Sequence, residues 1–241
     1  MVIFGPQSPL EISYCLGLRE MESYYEFIER YLNQVIEDNE NSIKEINNEV
    51  SERLINMGYD ETELVDQDEE NLAHLADMGN DYDFYQEALY EVKIFQSTFR
   101  TSFLIACCSN FEYQLNNICK KEQKNKSLKL GYNDMSGQGI DQAKNYFRKV
   151  IGVDISLDKS WQEVTNIKKI RNKLVHNNGV LEPEKSDKEI KEYISHRPDL
   201  SIVNDTITIS ADYNKHVIET FYNFLNNVIF DIYEEKQKET S

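Results

Sequence analysis

The sequence has few of the residues that end helices. Glycine and proline account for only 9 and 4 of the 241 residues. Both residues terminate or kink helices, and windows rich in Ala, Leu, Glu, Lys, Gln and Asn run for about 30 residues or more between them. This composition favours long helices over many short strands. We therefore predict an all-α protein.

Several motifs that define common enzyme classes are missing. The chain has no G-x-x-x-x-G-K-[ST], G-x-G-x-x-G, H-E-x-x-H or G-x-S-x-G pattern, and its 4 histidines are dispersed. We expect neither a metal site nor a cofactor. The 4 cysteines show no C-x-x-C spacing, which predicts reduced, structural thiols. They are Cys15, Cys107, Cys108 and Cys119.

Long apolar runs are also missing. No span of about 18 apolar residues occurs, and the start of the chain, MVIFGPQSPLE, lacks the basic and apolar regions of a secretory signal. We expect no membrane association and a cytoplasmic location.

Charge is unevenly distributed. The formal net charge is −17, and residues 20–91 contain 22 Asp and Glu against three basic residues. Residues 93–179 contain 15 Lys and Arg against seven acids. The acidic segment is interpreted as a solvated helix face, a docking surface, or an intramolecular cover for the basic region. The charge pattern alone leaves these three alternatives open.

Hydrophobic periodicity predicts four longer helices and a hairpin. The expected helices cover about 19–57, 81–122, 161–179 and 211–235, with a shorter one near 138–150. Residues 60–80 predict a loop or a short mobile helix. The capping-box spacing of Ser160 and Glu163 predicts a helix start at Trp161, and Gly179 is expected to end that helix. The stretch LSIVNDTITIS predicts a β-hairpin that turns at Asn204 and Asp205.

A cluster of cationic and polar residues lies near the end of the third of these helices, in NIKKIRNKLVHNNG, residues 166–179. At helical spacing, Asn172 and His176 lie about 40° apart, and the long side chain of Arg171 can bend towards them. A guanidinium binds phosphate oxygens, an imidazole exchanges protons near neutral pH, and a carboxamide positions a substrate. This set suits a phosphodiester. Alternatively, Arg171 and His176 cap the free carbonyls of the helix end.

The stretch RNKLVHNNG, preceded some 60 residues earlier by FLIACCSNFEYQLNNICKKE and followed by a hairpin and a closing helix, resembles the HEPN superfamily. The similarity covers residues 81–235 and is greatest to single-domain prokaryotic members related to ribonuclease toxins and antiviral defence proteins. It implies a HEPN-like helical bundle over residues 81–241, with residues 1–80 as an acidic helical extension packed on it. It also implies a homodimer in which two motifs meet.

The resemblance implies a metal-independent endoribonuclease. Arg171, Asn172 and His176 match the family motif residue by residue, and Glu112 corresponds to a carboxylate facing it. Glu112 is alternatively a buried tie that orients Arg171. RNA would be the substrate, and an antitoxin or defence-system protein a partner. The same motif also occurs in non-catalytic binding modules, which is the alternative function.

Basic residues near the motif predict an RNA path. One group follows the long helix and the other lines the motif. They are Lys120, Lys121, Lys124, Lys168, Lys169 and Lys173. The first group is alternatively an ordinary solvated helix end.

Overall fold

The structure is a computed structural model that describes residues 9–56, 69–182 and 187–239. Side chains are described for residues 17–55, 76–182 and 187–232. Two long helices come first: α1, Pro9–Asn56, and α2, Glu69–Asn125. Each is longer than its periodicity predicts, and the predicted end of the first helix at residue 57 lies outside the described residues. Residues 69–80, predicted as a loop or short mobile helix, form the beginning of α2.

The second half of the chain consists of shorter elements. Helix α3, Ile140–Tyr146, continues into a π-helical turn, Phe147–Ile151, and is followed by α4, Trp161–Asn177, and α5, Lys188–Ser195. A hairpin of β1, Leu200–Val203, and β2, Thr206–Ile209, precedes the closing helix α6, Ala211–Glu239. The strands are antiparallel, with Val203 opposite Thr206. Asn204 and Asp205 both have positive φ, as a tight hairpin turn requires.

The prediction of an all-α fold with a small hairpin before the last helix is confirmed. Within the part of the chain that the structure describes, no helix has the length and apolar character needed to cross a membrane.

The described residues form two compact units. The first comprises residues up to 25 and from 100 onward, and the second comprises residues 26–99. Each long helix contributes to both units. Compactness does not by itself define an independently folding domain, so the predicted domains, residues 1–80 and 81–241, stay a prediction.

Helices α2, α4 and α6 bury apolar stripes at helical spacing, and these stripes form the core of the first unit. The rings of Phe111 and Phe221 stack with centroids 4.1 Å apart, which joins α2 to α6. Cys107, Cys108 and Cys119 are buried and free, as predicted for three of the four cysteines. Other fully or nearly fully buried residues are Leu104, Leu115, Val164, Ile167, Ile170, Val217, Phe224 and Leu225.

Helix α4 begins at Trp161, as predicted, but the predicted capping box is wrong. Ser160 makes no side-chain capping bond. Instead, Asp158 accepts the backbone N–H of Ser160 through its carboxylate at 2.7 Å and that of Trp161 through its carbonyl at 3.0 Å. The carboxylate of Glu163 is bound by other residues, described below. Because three side chains from other elements donate to this carboxylate, it is not available to cap the start of α4.

The end of α4 is attached to the hairpin. Asn178 takes the left-handed conformation one residue earlier than predicted, and Gly179 follows it with φ 77°. The carbonyl of Gly179 accepts the backbone N–H of Ile207 at 3.0 Å, and Leu181 donates to the carbonyl of Asp205 at 2.7 Å. A β-carbon at Gly179 would lie 3.1 Å from Leu174. The two backbone hydrogen bonds hold the end of α4, the helix that carries the motif, beside β2.

Candidate functional site

A pocket in the first unit is lined by residues of α2, α3, α4 and α6. It is a small recess whose free volume, about 10 Å³, has room for roughly one water molecule. Its apolar lining consists of Phe111, Ile140, Val164 and Phe221. Its polar lining consists of Cys108, Glu112, Lys168 and Arg171. Arg171 and Glu112, two of the predicted catalytic residues, and Lys168, a predicted RNA contact, are therefore brought to one place.

The guanidinium of Arg171 is only partly bonded. Its Nη1 donates to Oδ1 of the neighbouring Asn172 at 3.1 Å. Its buried Nε has no hydrogen-bond partner among the described residues. A buried N–H that lacks an acceptor costs free energy, so this pocket favours a ligand that brings an oxygen atom to Arg171.

Glu112 approaches the backbone where α3 begins. Gly139 precedes α3 with φ 55° and ψ −128°, a conformation suited to glycine. A β-carbon on Gly139 would lie 2.8 Å from Oε1 of Glu112. The missing side chain of Gly139 therefore leaves the space that the Glu112 carboxylate occupies.

The predicted alternative for Glu112 was a tie to Arg171. Among the described residues, no ion pair within 4.0 Å joins these two side chains, although both line the pocket. Both charges act on Cys108: burial raises the pKa of its thiol to about 12, while Arg171 lowers that pKa and Glu112 raises it. Glu112 and Arg171 thus share one environment without neutralising each other directly.

His176 lies apart from this pocket. It is exposed, is not among the residues that line the pocket, and follows Arg171 by five positions, about 140° around the helix. Asn172 is half-buried and bonded to Arg171. One chain therefore combines the guanidinium and the carboxamide, while the imidazole lies on the solvent side of α4.

Three of the predicted RNA-binding lysines pair with acids, and two of these pairs are partly exposed. Lys168 lies 2.6 Å from Oδ2 of Asp141, and Lys169 lies 2.6 Å from Oε2 of Glu189. Both pairs are at least partly exposed, so competition by phosphate would cost little. Lys120, Lys121 and Lys124 are exposed near the end of α2 and do not line the pocket.

Lys173 has a different environment. Its side chain is 9% exposed and lies 2.8 Å from Oδ2 of Asp187, which is 5% exposed. Asp187 also accepts the backbone N–H of Glu182 at 2.6 Å. Burial alone would raise the pKa of Asp187, but the hydrogen bonds from Lys173 and Glu182 hold it below its ordinary value. A buried, paired ammonium does not suit the predicted RNA contact, and we leave Lys173 out of the RNA surface.

A second polar cluster near the start of α4 was missed by sequence reasoning. Oε1 of Glu163 accepts the Tyr193 hydroxyl at 2.6 Å and lies 2.6 Å from Nε2 of His216. Arg197 donates to the same oxygen at 3.1 Å and binds Asp199 with two nitrogens, at 2.8 and 2.5 Å. We call these five residues the Glu163 cluster. Only the Arg197–Asp199 spacing was a local signal for it.

The cluster shifts the titration of its members. Burial alone would raise the pKa of Glu163, but the hydrogen bonds from His216 and Tyr193 and the charge of Arg197 hold it below its ordinary value. The hydrogen bond from Arg197 lowers the pKa of Asp199. Burial and the Glu163 carboxylate raise the pKa of Tyr193. The carboxylates are therefore stabilised in their charged forms.

The described residues thus form an all-α protein with one polar-apolar pocket at its motif helix. Comparisons with models of known families, with curated proteins and with solved structures find no match to this chain.

Proposed function

We propose that the protein is a metal-independent endoribonuclease of the HEPN superfamily, acting in a prokaryotic toxin or antiviral defence system. One observation carries the proposal. Arg171 of the motif lines a partly open pocket with Glu112 and Lys168, and its buried Nε lacks an acceptor among the residues that the structure describes. A phosphate oxygen is an acceptor of the required charge.

The chemistry is an intramolecular transesterification of RNA. The ribose 2′-oxygen forms a bond to phosphorus as the bond to the 5′-oxygen breaks, leaving a 2′,3′-cyclic phosphate and a 5′-hydroxyl. His176 transfers one proton, either from the 2′-hydroxyl or to the leaving 5′-oxygen, and solvent water accepts or supplies the other. Arg171 stabilises the charge that accumulates on the phosphorane, and Asn172 positions the phosphate. Lys168, Lys169 and the lysines that end α2 attract the RNA backbone.

The reaction needs two copies of the chain. Arg171 lines the pocket while His176 is exposed on another side of α4, so one chain does not supply both groups to one cleft. A homodimer in which the two motif helices meet brings His176 of one copy towards Arg171 of the other. Activity should therefore depend on protein concentration below the dissociation constant of the dimer.

The test is cleavage of total RNA in EDTA by the wild type, His176→Ala and Arg171→Ala. We expect the wild type to cut and each variant to lose most of its cutting. Mixing the two inactive variants tests the shared site, because a dimer of the two variants retains one site with both groups if each site draws Arg171 and His176 from different chains. Cleavage that continues unchanged in both variants would contradict the assignment.

The alternative is a non-catalytic module that binds RNA or a partner protein through the same helices. The separation of His176 from the Arg171 pocket favours it if the protein is monomeric in solution. In that case the wild type does not cut RNA, but Arg171→Ala still weakens RNA binding.

A further inference from the structure

An exposed aromatic ring lies on α2, one residue after the pocket residue Glu112. The side chain of Tyr113 is 60% exposed, whereas Tyr132, Tyr146 and Tyr213 of the same unit are buried. A tyrosine ring is a large apolar surface, and folded proteins usually pack most of it against other side chains. The open ring of Tyr113 can therefore contact a ligand.

Two lysines lie on the same side of α2 as Tyr113. Lys120 is seven positions further along the helix and Lys124 is eleven. Each therefore lies within about 20° of Tyr113 around the helix axis, at about 10 and 16 Å along it. Both lysines are exposed. We call Tyr113, Lys120 and Lys124 the α2 track.

Other elements pack on the two flanks of the track. Helix α1 approaches one flank, because a β-carbon on Gly17 would lie 3.2 Å from Nδ2 of Asn110, which is about 60° around α2 from Tyr113. On the other flank, about 100° from Tyr113, Glu112 meets Gly139 at the start of α3. Tyr113 lies between these two contacts, which leaves its ring open to solvent.

The lysines of the track are not paired with acids. Among the described residues, neither Lys120 nor Lys124 has an ion pair within 4.0 Å. In contrast, Lys168, Lys169 and Lys173 lie 2.6 to 2.8 Å from carboxylate oxygens. An unpaired ammonium binds a phosphate without first breaking an ion pair. The negative end of the helix dipole accounts for lysines in this place, but it does not account for an exposed ring.

An open aromatic ring in line with unpaired lysines is a combination that binds single-stranded nucleic acid. Every base has a π-face that can stack on a tyrosine ring, and the lysines neutralise phosphates of the backbone. In a duplex the bases stack on each other and present only their edges in the grooves. A duplex therefore has no base face to offer to Tyr113.

We propose that the α2 track is a subsite for single-stranded RNA, in which one base stacks on Tyr113 and phosphates further along the strand pair with Lys120 and Lys124. Its role as an RNA subsite rests on the proposed ribonuclease function. Glu112 lines the Arg171 pocket and directly precedes Tyr113, so the track and the pocket lie on neighbouring sides of α2. One strand can thus occupy both.

The probe is a fluorescein-labelled 2′-O-methyl oligoadenylate of about 12 nucleotides, titrated into the full chain and followed by fluorescence anisotropy. It has no free 2′-hydroxyl, so it stays intact whether or not the protein is a ribonuclease. The comparison is the same strand annealed to 2′-O-methyl oligouridylate. We expect the duplex to bind at least about fivefold more weakly, because its bases cannot stack on Tyr113. A duplex that binds as tightly as the single strand would overturn the proposal.

The first variant is Tyr113→Leu, which removes the ring and keeps an apolar side chain. We expect it to weaken binding of the single strand about tenfold, and Tyr113→Phe, which keeps the ring, to change binding less than about twofold. The control is Phe230→Leu, because Phe230 is 57% exposed on α6, the helix that stacks on α2 about 160° away from Tyr113. Unchanged affinity in Tyr113→Leu, or an equal loss in Phe230→Leu, would contradict the subsite.

The second variant is Lys120→Gln with Lys124→Gln, measured as a function of salt concentration. Each phosphate contact of a single strand adds about 0.7 to the slope of log affinity against log salt, so we expect this pair to lower the slope by about 1.4. Tyr113→Leu should leave the slope unchanged. The control is Lys44→Gln with Lys215→Gln, two exposed lysines on α1 and α6. Equal decreases in both lysine pairs would show that overall charge, and not the track, binds the strand.

The subsite and the ribonuclease can fail separately. If Tyr113→Leu binds the probe as tightly as the wild type while the wild type cuts total RNA, the subsite is wrong and the ribonuclease stands. If the wild type cuts no RNA but Tyr113→Leu loses about tenfold in probe affinity, the subsite stands and the ribonuclease is wrong.

Discussion

Helix α4 carries two polar clusters with opposite states of hydrogen bonding. Near its start, one oxygen of Glu163 is bound by Tyr193, His216 and Arg197. Near its end, Arg171 bonds only to its neighbour Asn172 and leaves its buried Nε without an acceptor among the described residues. The two clusters are about eight residues apart on the same helix.

The difference separates a cluster that stabilises the fold from one that is available to a ligand. A fully bonded polar network contributes to stability and has no unused donor or acceptor with which to bind a substrate. An unpaired donor beside a pocket lowers the stability of the fold, and a ligand that supplies an acceptor gains the free energy of the new hydrogen bond. Substitutions in the two clusters should therefore affect different measurements.

The largest expected effect on stability comes from Glu163→Leu. It leaves Tyr193, Arg197 and His216 without their shared acceptor, and we expect the free energy of unfolding to fall by about 2–4 kcal/mol. Urea unfolding followed by circular dichroism measures it. The control is the exposed neighbour Gln162→Leu, which should change stability by less than about 0.5 kcal/mol. Equal losses would remove the distinction between the two clusters.

Arg171→Met should affect activity instead. We expect RNA cleavage to fall by about a hundredfold or more, or about 2.7 kcal/mol of transition-state stabilisation, because the phosphorane loses its guanidinium. The free energy of unfolding should change by less than about 1 kcal/mol, since the side-chain bond of Arg171 among the described residues goes to Asn172 on its own helix. Arg148→Met, an exposed arginine outside the pocket, is the control. A large stability loss with Arg171→Met would place Arg171 among the structural residues.

Gly139→Ala tests the position of Glu112. The added β-carbon would lie 2.8 Å from Oε1 of Glu112 in a backbone conformation that suits glycine, and we expect a loss of about 1–2 kcal/mol in stability together with reduced cleavage. Gly152→Ala is the matched control, because Gly152 also has positive φ but no atom within 4 Å of the added carbon. Reduced cleavage in both variants would indicate backbone strain rather than displacement of Glu112.

The smallest effect is a pH dependence of stability. The folded pKa values of Glu163 and Asp199 lie below their ordinary values of 4.5 and 3.8. Their contribution is complete above those values and is lost as the pH falls through the lower folded values. We expect urea midpoints measured between pH 7 and pH 3 to fall on the acid side, and Glu163→Gln to flatten that decrease. Parallel curves for both proteins would show that Glu163 carries none of it.

The outcome of the sequence predictions depends on how far apart the interacting residues are. The four longer helices of this fold follow in their larger part from spacings of three and four residues, and the hairpin follows from Asn204 and Asp205 between β-branched residues. Each pattern lies within a few residues of the element it predicts, and the all-α fold is confirmed. The prediction that α4 starts at Trp161 also used a local pattern. The residue is right, but the predicted capping box is wrong, because Glu163 bonds to partners from α5 and α6 that lie far away in the sequence.

The candidate site shows the same division. The resemblance implied that Glu112 faces the motif, and Arg171, Glu112 and Lys168 line one pocket. Lys169 and Lys173 are four positions apart, look equivalent in the sequence, and differ in burial because Asp187 packs against Lys173 alone. A count of charges along the sequence cannot reveal this difference in burial.

By itself, the sequence determined the all-α class, where the charge is concentrated and which polar and cationic groups lie at the end of α4, because these depend on neighbours along the chain. The tertiary structure decided which polar groups are paired. Glu163 is bonded by residues up to 53 positions away, whereas the Nε of Arg171 has no acceptor within the described part of the chain. Pairing depends on which side chains packing brings within about 3 Å, and that is a property of the folded chain alone.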